Sequence, residues 1–196
     1  MRPHARPAPT QRQAPAAPGA VPASRTLVIG YGSPIRGDDA IGPLAAERLA
    51  AGPVPDGVRI VSRHVLTAEL AEDLAAVDRV VFLDATIEGK PGEVRVRDLA
   101  PDARAVSTMA HFHDPRELLA WCETLYGRTP RAWLVSAAGQ SFDYASYRLT
   151  PCAAAAVAAM LAEVRRLIAS PSPSPGPYPG HAGWREAGNF DDNGLA

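Results

Sequence analysis

The chain has 196 residues, with 20 Lys and Arg against 21 Asp and Glu and a formal net charge of −1. That balance gives no electrostatic footprint for nucleic acid or an anionic membrane. The length suits one domain with a sizeable core, and no apolar run reaches membrane-spanning length.

Prolines from Pro3 to Pro22 interrupt any signal-peptide core, so a cytoplasmic protein, monomeric or weakly associating, is expected. The two cysteines, Cys122 and Cys152, fall in separate predicted helices and belong to no C-x-x-C pair. They read as small core residues of a reducing compartment rather than a disulfide or zinc framework. Of the 20 prolines, 11 lie in residues 1–24 and 170–196. Such segments cannot offset the ordering entropy of a fold, so both are expected to be disordered tails around a domain at 25–169.

Inside that domain, strand and helix signals alternate. Thr26-Leu27-Val28-Ile29 reads as a short buried strand, followed after a glycine-rich turn by a helix from about Pro43 to Ala51. Val58–Ser62 is a second strand. Thr67 is expected to cap a helix running to about Val77, with Glu69 in its first turn. Val80, Val81, Phe82 and Leu83 follow one another, as in a central parallel strand, and the strand is expected to stop at Asp84.

Glu93–Arg97 alternates charged and apolar residues, which suits an edge or antiparallel strand. After a long loop, Asp114-Pro115 opens a helix to Tyr126 with Leu118, Leu119, Cys122, Leu125 and Tyr126 as its apolar stripe, and Gly127 stops it. Ala132–Ser136 is a strand. Thr150-Pro151 opens a last helix to Ile168, with Val157, Leu161, Val164 and Ile168 on one face. The order β-α-β-α-β-β-α-β-α predicts a three-layer α/β/α sandwich with a mostly parallel sheet of about five strands.

The turn after the first strand, Gly30 to Pro43, is the most informative stretch. The dinucleotide pattern would need glycine at 35, where Ile35 stands, and the Lys-Ser/Thr that should follow Gly37 in a phosphate loop is Asp38-Asp39. Two carboxylates repel phosphate and attract a cation. The turn therefore reads as a cation site, or as a tight turn with two solvated acids before a helix, and no nucleotide cofactor is expected.

In an α/β sheet, sites form beyond the carboxyl ends of the strands, so Asp39 after the first strand and Asp84 at the end of the third converge if those strands are neighbours. His111 and His113 lie in the loop before the Asp114 cap. A histidine with two carboxylates suits a borderline divalent ion such as nickel, zinc or cobalt. His64 reads as a loop residue. Ser136 and Ser141 lack an Asp–His partner pattern, and Cys122 faces the predicted core, so neither a serine nor a thiol nucleophile is expected.

These residues carry a family resemblance. The pattern G-x-G-x-x-x-x-G-D-D-x-x-G-P from Gly30, the stretch DA-T-x-x-G-x-PG at Asp84–Gly92 and a histidine before a helix at 111 resemble hydrogenase maturation endopeptidases over Leu27 to about Val164. The resemblance implies an α/β/α endopeptidase that removes a C-terminal extension from the large-subunit precursor of nickel–iron hydrogenase once nickel is inserted. It implies metal contacts at Asp39, Asp84 and His111, with nickel supplied by the substrate. It leaves the catalytic type open, with Asp38 or Asp39 as candidate general base. The competing class is a non-catalytic metal-binding or nucleotide-binding α/β module.

Overall fold

The structure, a computed structural model, describes residues 25–105 and 113–170. The tails expected at 1–24 and beyond Ser170 lie outside the described residues, as does His111. The first strand, β1 (Thr26–Tyr31), leads through a short 3-10 turn at Gly37–Ala40 into α1 (Ile41–Ala50). Then come β2 (Val58–Arg63), α2 (Leu70–Ala75), β3 (Arg79–Thr86), β4 (Val94–Leu99), α3 (Pro115–Tyr126), β5 (Arg131–Ala138) and α4 (Pro151–Ala169). The element order is the one expected.

The sheet runs β2-β1-β3-β5-β4, parallel except for β4, which pairs antiparallel with β5 at one edge. Strands β1 and β3 are therefore direct neighbours, in register Ile29 opposite Phe82 and Gly30 opposite Leu83. Both faces of this central pair are buried. Val28, Val81 and Leu83 pack under α1 and α4 with Ile41, Ala45, Val157, Met160 and Val164. Leu27, Ile29, Val80 and Phe82 pack on the other side with Leu70, Leu74, Leu118, Leu119 and Cys122 of α2 and α3. Continuous apolar runs are what a strand covered on both sides requires. On β4 burial alternates, as its alternating sequence implies for a strand with one wet face.

Four local expectations are corrected. Strand β3 does not stop at Asp84 but continues to Thr86, because Asp84, Ala85 and Thr86 stay paired with Ser136, Ala137 and Ala138 of β5. Helix α2 begins at Leu70, and Thr67 contributes its carbonyl to the Leu70 N–H rather than a side-chain cap. Helix α1 starts at Ile41, the 3-10 turn absorbing Asp38 and Asp39 ahead of it. Leu125 and Tyr126 are 59 % and 46 % exposed. They lie on the last turn of α3, whose packing partner α2 is only six residues long.

The caps of the two long helices form as predicted. The Asp114 carboxylate accepts from the Arg116 N–H at 2.8 Å and Gly127 closes α3 in a left-handed conformation at φ 65°. Thr150 caps α4, its hydroxyl accepting from the Ala153 N–H at 3.4 Å.

At the amino end of the sheet, buried Arg79 acts as a clasp. Its Nε donates to the Thr26 hydroxyl at 3.1 Å, and its Nη atoms donate to the carbonyls of Leu167, Ile168 and Ser170 at 3.2, 3.1 and 2.7 Å. A cation set against the last carbonyls of α4 satisfies acceptors the helix itself cannot. The backbone of Arg25 is tied to the same place, its carbonyl accepting from the N–H groups of Asp78 and Arg79.

Candidate active site at the carboxyl edge of the sheet

Three glycines let the loop after β1 fold tightly. Gly32 sits at φ 137° and Gly37 at φ 56°, regions that side-chain-bearing residues rarely adopt. Gly42, at the start of α1, lies against the carbonyl oxygens of Tyr31 and Leu83, where any Cβ would collide with both. The helix consequently starts in backbone contact with β1 and β3, and this approach places the two aspartates of the turn beside the end of β3.

The two aspartates then diverge. Asp38 is fully buried. Its carboxylate accepts from the N–H groups of Gln140, Ser141 and Thr150 at 2.7, 3.1 and 2.7 Å and from the Thr150 hydroxyl at 2.8 Å. Burial alone would raise its pKa, but the bonds from Gln140, Thr150 and Ser141 outweigh it and hold the carboxyl below the usual range. With both oxygens occupied, Asp38 is an anchor that fastens the loop 139–150 to the turn after β1. Asp39 is only half-buried, and among the described residues its side chain accepts one hydrogen bond, from the Ser33 N–H at 2.8 Å. Of the two, it is the carboxylate with capacity left for a ligand or a proton.

Asp84 stands at the same edge, on the last part of β3. Its Oδ1 accepts from the Ala85 N–H at 2.8 Å. Its pKa is pushed up to about 7, first by burial and then by the nearby charges of Asp39 and Asp114, against hydrogen bonds from Tyr31 and Ala85 that pull it down. Tyr31, the last residue of β1, is held edge-on to Phe82 with ring centroids 6.5 Å apart. Its hydroxyl pKa is raised well above the ordinary value, first by burial and then by Asp84. That Asp84 feels the charges of both Asp39 and Asp114 reflects the nearness of the turn after β1, the end of β3 and the start of α3 at this edge.

Of the residues expected to bind metal, the structure thus gathers Asp39 and Asp84, while His111 lies outside the described residues. Among the described residues no group of three His, Cys, Asp or Glu side chains is arranged around a metal position. The segment bearing His111 re-enters at His113, whose N–H donates to the Leu66 carbonyl at 3.3 Å. The His113 ring is engaged on α3, its Nδ1 3.0 Å from Glu117 and its edge toward Trp121. His64 is exposed after β2.

Ser136 is buried within β5, and the Ser141 hydroxyl donates to Asp143 at 2.7 Å, so neither sits in a Ser–His–Asp arrangement among the described residues. Cys122 is buried, its thiol pushed up to about 11 mainly by that burial, which leaves no reactive thiolate. Sequence reasoning missed Tyr31 and the anchoring role of Asp38. The partners of both come from distant strands and loops, and only the Asp-Asp pair itself was visible.

An α/β/α domain with Asp39 and Asp84 at the carboxyl edge of β1 and β3 offers carboxyl groups of the kind acid–base chemistry uses. Solved structures of maturation peptidases share the fold. The hydrogenase maturating endopeptidase HybD from E. coli is 25% identical at a TM-score of 0.62, over 74% of this chain and 91% of that one. The nickel–iron hydrogenase maturation protease HycI from Thermococcus kodakarensis is 25% identical at 0.61, over 76% and 94%. The hydrogenase 2 maturation peptidase from a Thaumarchaeota archaeon is 26% identical at 0.57, over 74% and 97%. No family model and no curated protein matches the chain. With the turn and β3 motifs in place on this fold, the chain is similar to the hydrogenase maturation endopeptidases in both architecture and sequence pattern.

Proposed function

We propose that this protein removes the C-terminal extension of the large-subunit precursor of nickel–iron hydrogenase, and that it reads nickel already held by the precursor. The observation that carries this reading is the β1–β3 pairing, which brings Asp39 and Asp84 to one edge of a fold shared with maturation endopeptidases. Asp39, Asp84 and His111 would contact the substrate's nickel and so fix the scissile peptide in place. Asp39, rather than the fully occupied Asp38, is the carboxylate positioned to take the proton from an attacking water. That water adds to the scissile carbonyl, the C–N bond breaks, and the released amine takes up a proton.

The test uses purified protein with nickel-loaded and nickel-free precursor, read by the C-terminal mass of the large subunit. Only the loaded precursor is expected to be cut, and Asp39→Ala, Asp84→Ala and His111→Ala should each stop cleavage while keeping the circular dichroism spectrum. His113→Ala should have a milder effect, since its ring is engaged with Glu117 and Trp121. Efficient cutting of nickel-free precursor would remove nickel from the reading. Nickel binding with no cutting of any precursor would favour a non-catalytic metal-binding module.

A further inference from the structure

Arg36 has no job in the reading above, yet the fold holds it firmly beside the site. Its N–H donates to the Ser33 carbonyl at 3.3 Å and its carbonyl accepts from the Asp39 N–H at 3.2 Å. The backbone also bridges to Ser146 of the loop after β5. On either side the two loops are stitched together, with Ser146 N–H donating to the Ile35 carbonyl at 3.2 Å and Gly37 N–H to the Ser146 carbonyl at 2.8 Å. The Asp38 anchor closes the same seam from below. The backbone at 36 is thus over-determined.

The side chain is not. Arg36 Nε is buried without a hydrogen-bond partner. Its guanidinium also forms no ion pair with Asp39 or Asp84, although Asp39 is three residues away. A buried donor left unpaired carries the full desolvation cost of that group and calls for an explanation, and Arg36 as a whole is only partly buried, so the outer nitrogens of its guanidinium can meet a ligand. Around it, the stitched loop presents Tyr144 and Tyr147 at 79 % and 74 % exposure. Between them Ala145 is held at φ 60°, a conformation that non-glycine residues seldom adopt. An arginine on a loop stitched to one that presents two exposed tyrosines has the composition of a recognition hot spot.

We propose that Arg36, Tyr144 and Tyr147 form the surface that grips the precursor's C-terminal extension, Arg36 donating to a main-chain carbonyl of that segment and the tyrosines packing against its side chains. This rests on the protease reading. The occupant follows from the chemistry: a planar multiple donor without its own carboxylate fits the carbonyl oxygens of an extended peptide. A peptide held there runs alongside Asp39, since one hydrogen bond links the Arg36 carbonyl to the Asp39 N–H.

The experiment measures binding of nickel-loaded precursor to the full chain and, separately, its cleavage kinetics. Arg36→Gln should weaken Kd and raise KM about tenfold, as expected for loss of a charged hydrogen bond, with the smaller change in kcat. Arg36→Lys should lose less, and Tyr144→Ala with Tyr147→Ala about threefold to tenfold. The Tm of Arg36→Gln should hold or rise, because an unpaired buried donor is removed. Unchanged Kd and KM in both Arg36→Gln and the tyrosine pair would overturn the proposal. So would a Tm drop of several degrees in Arg36→Gln with kcat and KM deteriorating together and the tyrosine pair silent, which marks a purely structural arginine. Wild type that binds precursor without cutting it would refute the protease reading while leaving the variant Kd ratios decisive for this surface. Wild type that neither binds nor cuts would refute both.

Discussion

Adjacent aspartates in one turn have opposite fates, and Asp84 shows a third. Asp38 is saturated with donors and ionises easily, Asp39 keeps free capacity, and Asp84 is reluctant to ionise because burial and two neighbouring carboxylates oppose its charge. The reluctance has a sign that can be measured. A carboxyl raised from the ordinary value near 4 to about 7 holds its proton in the folded state over a window where the unfolded chain has lost it. Stability must therefore fall as pH rises from about 4 to 7 and level off above. Asp84→Asn has no proton to lose. Its stability should match that of wild type near pH 4.5 and exceed it at pH 7.5 by about 2 kcal/mol, after discounting for partial solvent exposure. Urea midpoints at the two pH values decide this, and parallel curves would refute it. Gaining stability on losing an expected substrate contact would be the mark of a site held under electrostatic strain.

At the scale of elements, the contact between α1 and the β1–β3 pair is what the site depends on. Gly42 meets the carbonyls of Tyr31 and Leu83, and a Cβ added at Gly30 would strike the Gly42 carbonyl in turn. Alanine in place of glycine inside a helix is ordinarily favourable by about 1 kcal/mol. Here the collision with two backbone oxygens costs about 3 kcal/mol, as overpacking does, so the net effect of Gly42→Ala is a loss of roughly 2 kcal/mol. Thermal denaturation should show it, and processing should fall as well, since moving α1 carries Asp39 away from Asp84. A neutral or stabilising result would mean the helix can shift without consequence.

The elements were largely legible because local chemistry and burial agreed: the Asp114 and Thr150 caps, the Gly127 stop and the apolar runs of β1 and β3 all hold. Where they failed, the deciding partner was remote. The final turn of α3 looks apolar in sequence, but nothing among the described residues reaches far enough to cover Leu125 and Tyr126. The extension of β3 to Thr86 depends on pairing with a strand some fifty residues later. The site was half legible for the same reason. Asp39 and Asp84 could be named from position along their strands, whereas the bonds that immobilise Asp38 span more than a hundred residues.

For the whole molecule, the Arg79 clasp has a topological consequence. Arg25, Thr26 and the stretch Leu167–Ser170 all converge on it, so the two ends of the described segment meet at the amino end of the sheet. Asp84 lies five positions along β3 from Arg79, about 17 Å in extended chain. The candidate site and the meeting point of the ends are thus opposite poles of one strand. Such a chain is suited to circular permutation. Joining residue 170 to residue 25 through a short glycine–serine linker and reopening between Pro55 and Asp56, in an exposed turn of the α1–β2 connection, should preserve a single cooperative unfolding transition and cleavage of nickel-loaded precursor. Loss of cooperativity in that permutant would mean that the order of the chain, and not just its closure around Arg79, is needed to build the sheet.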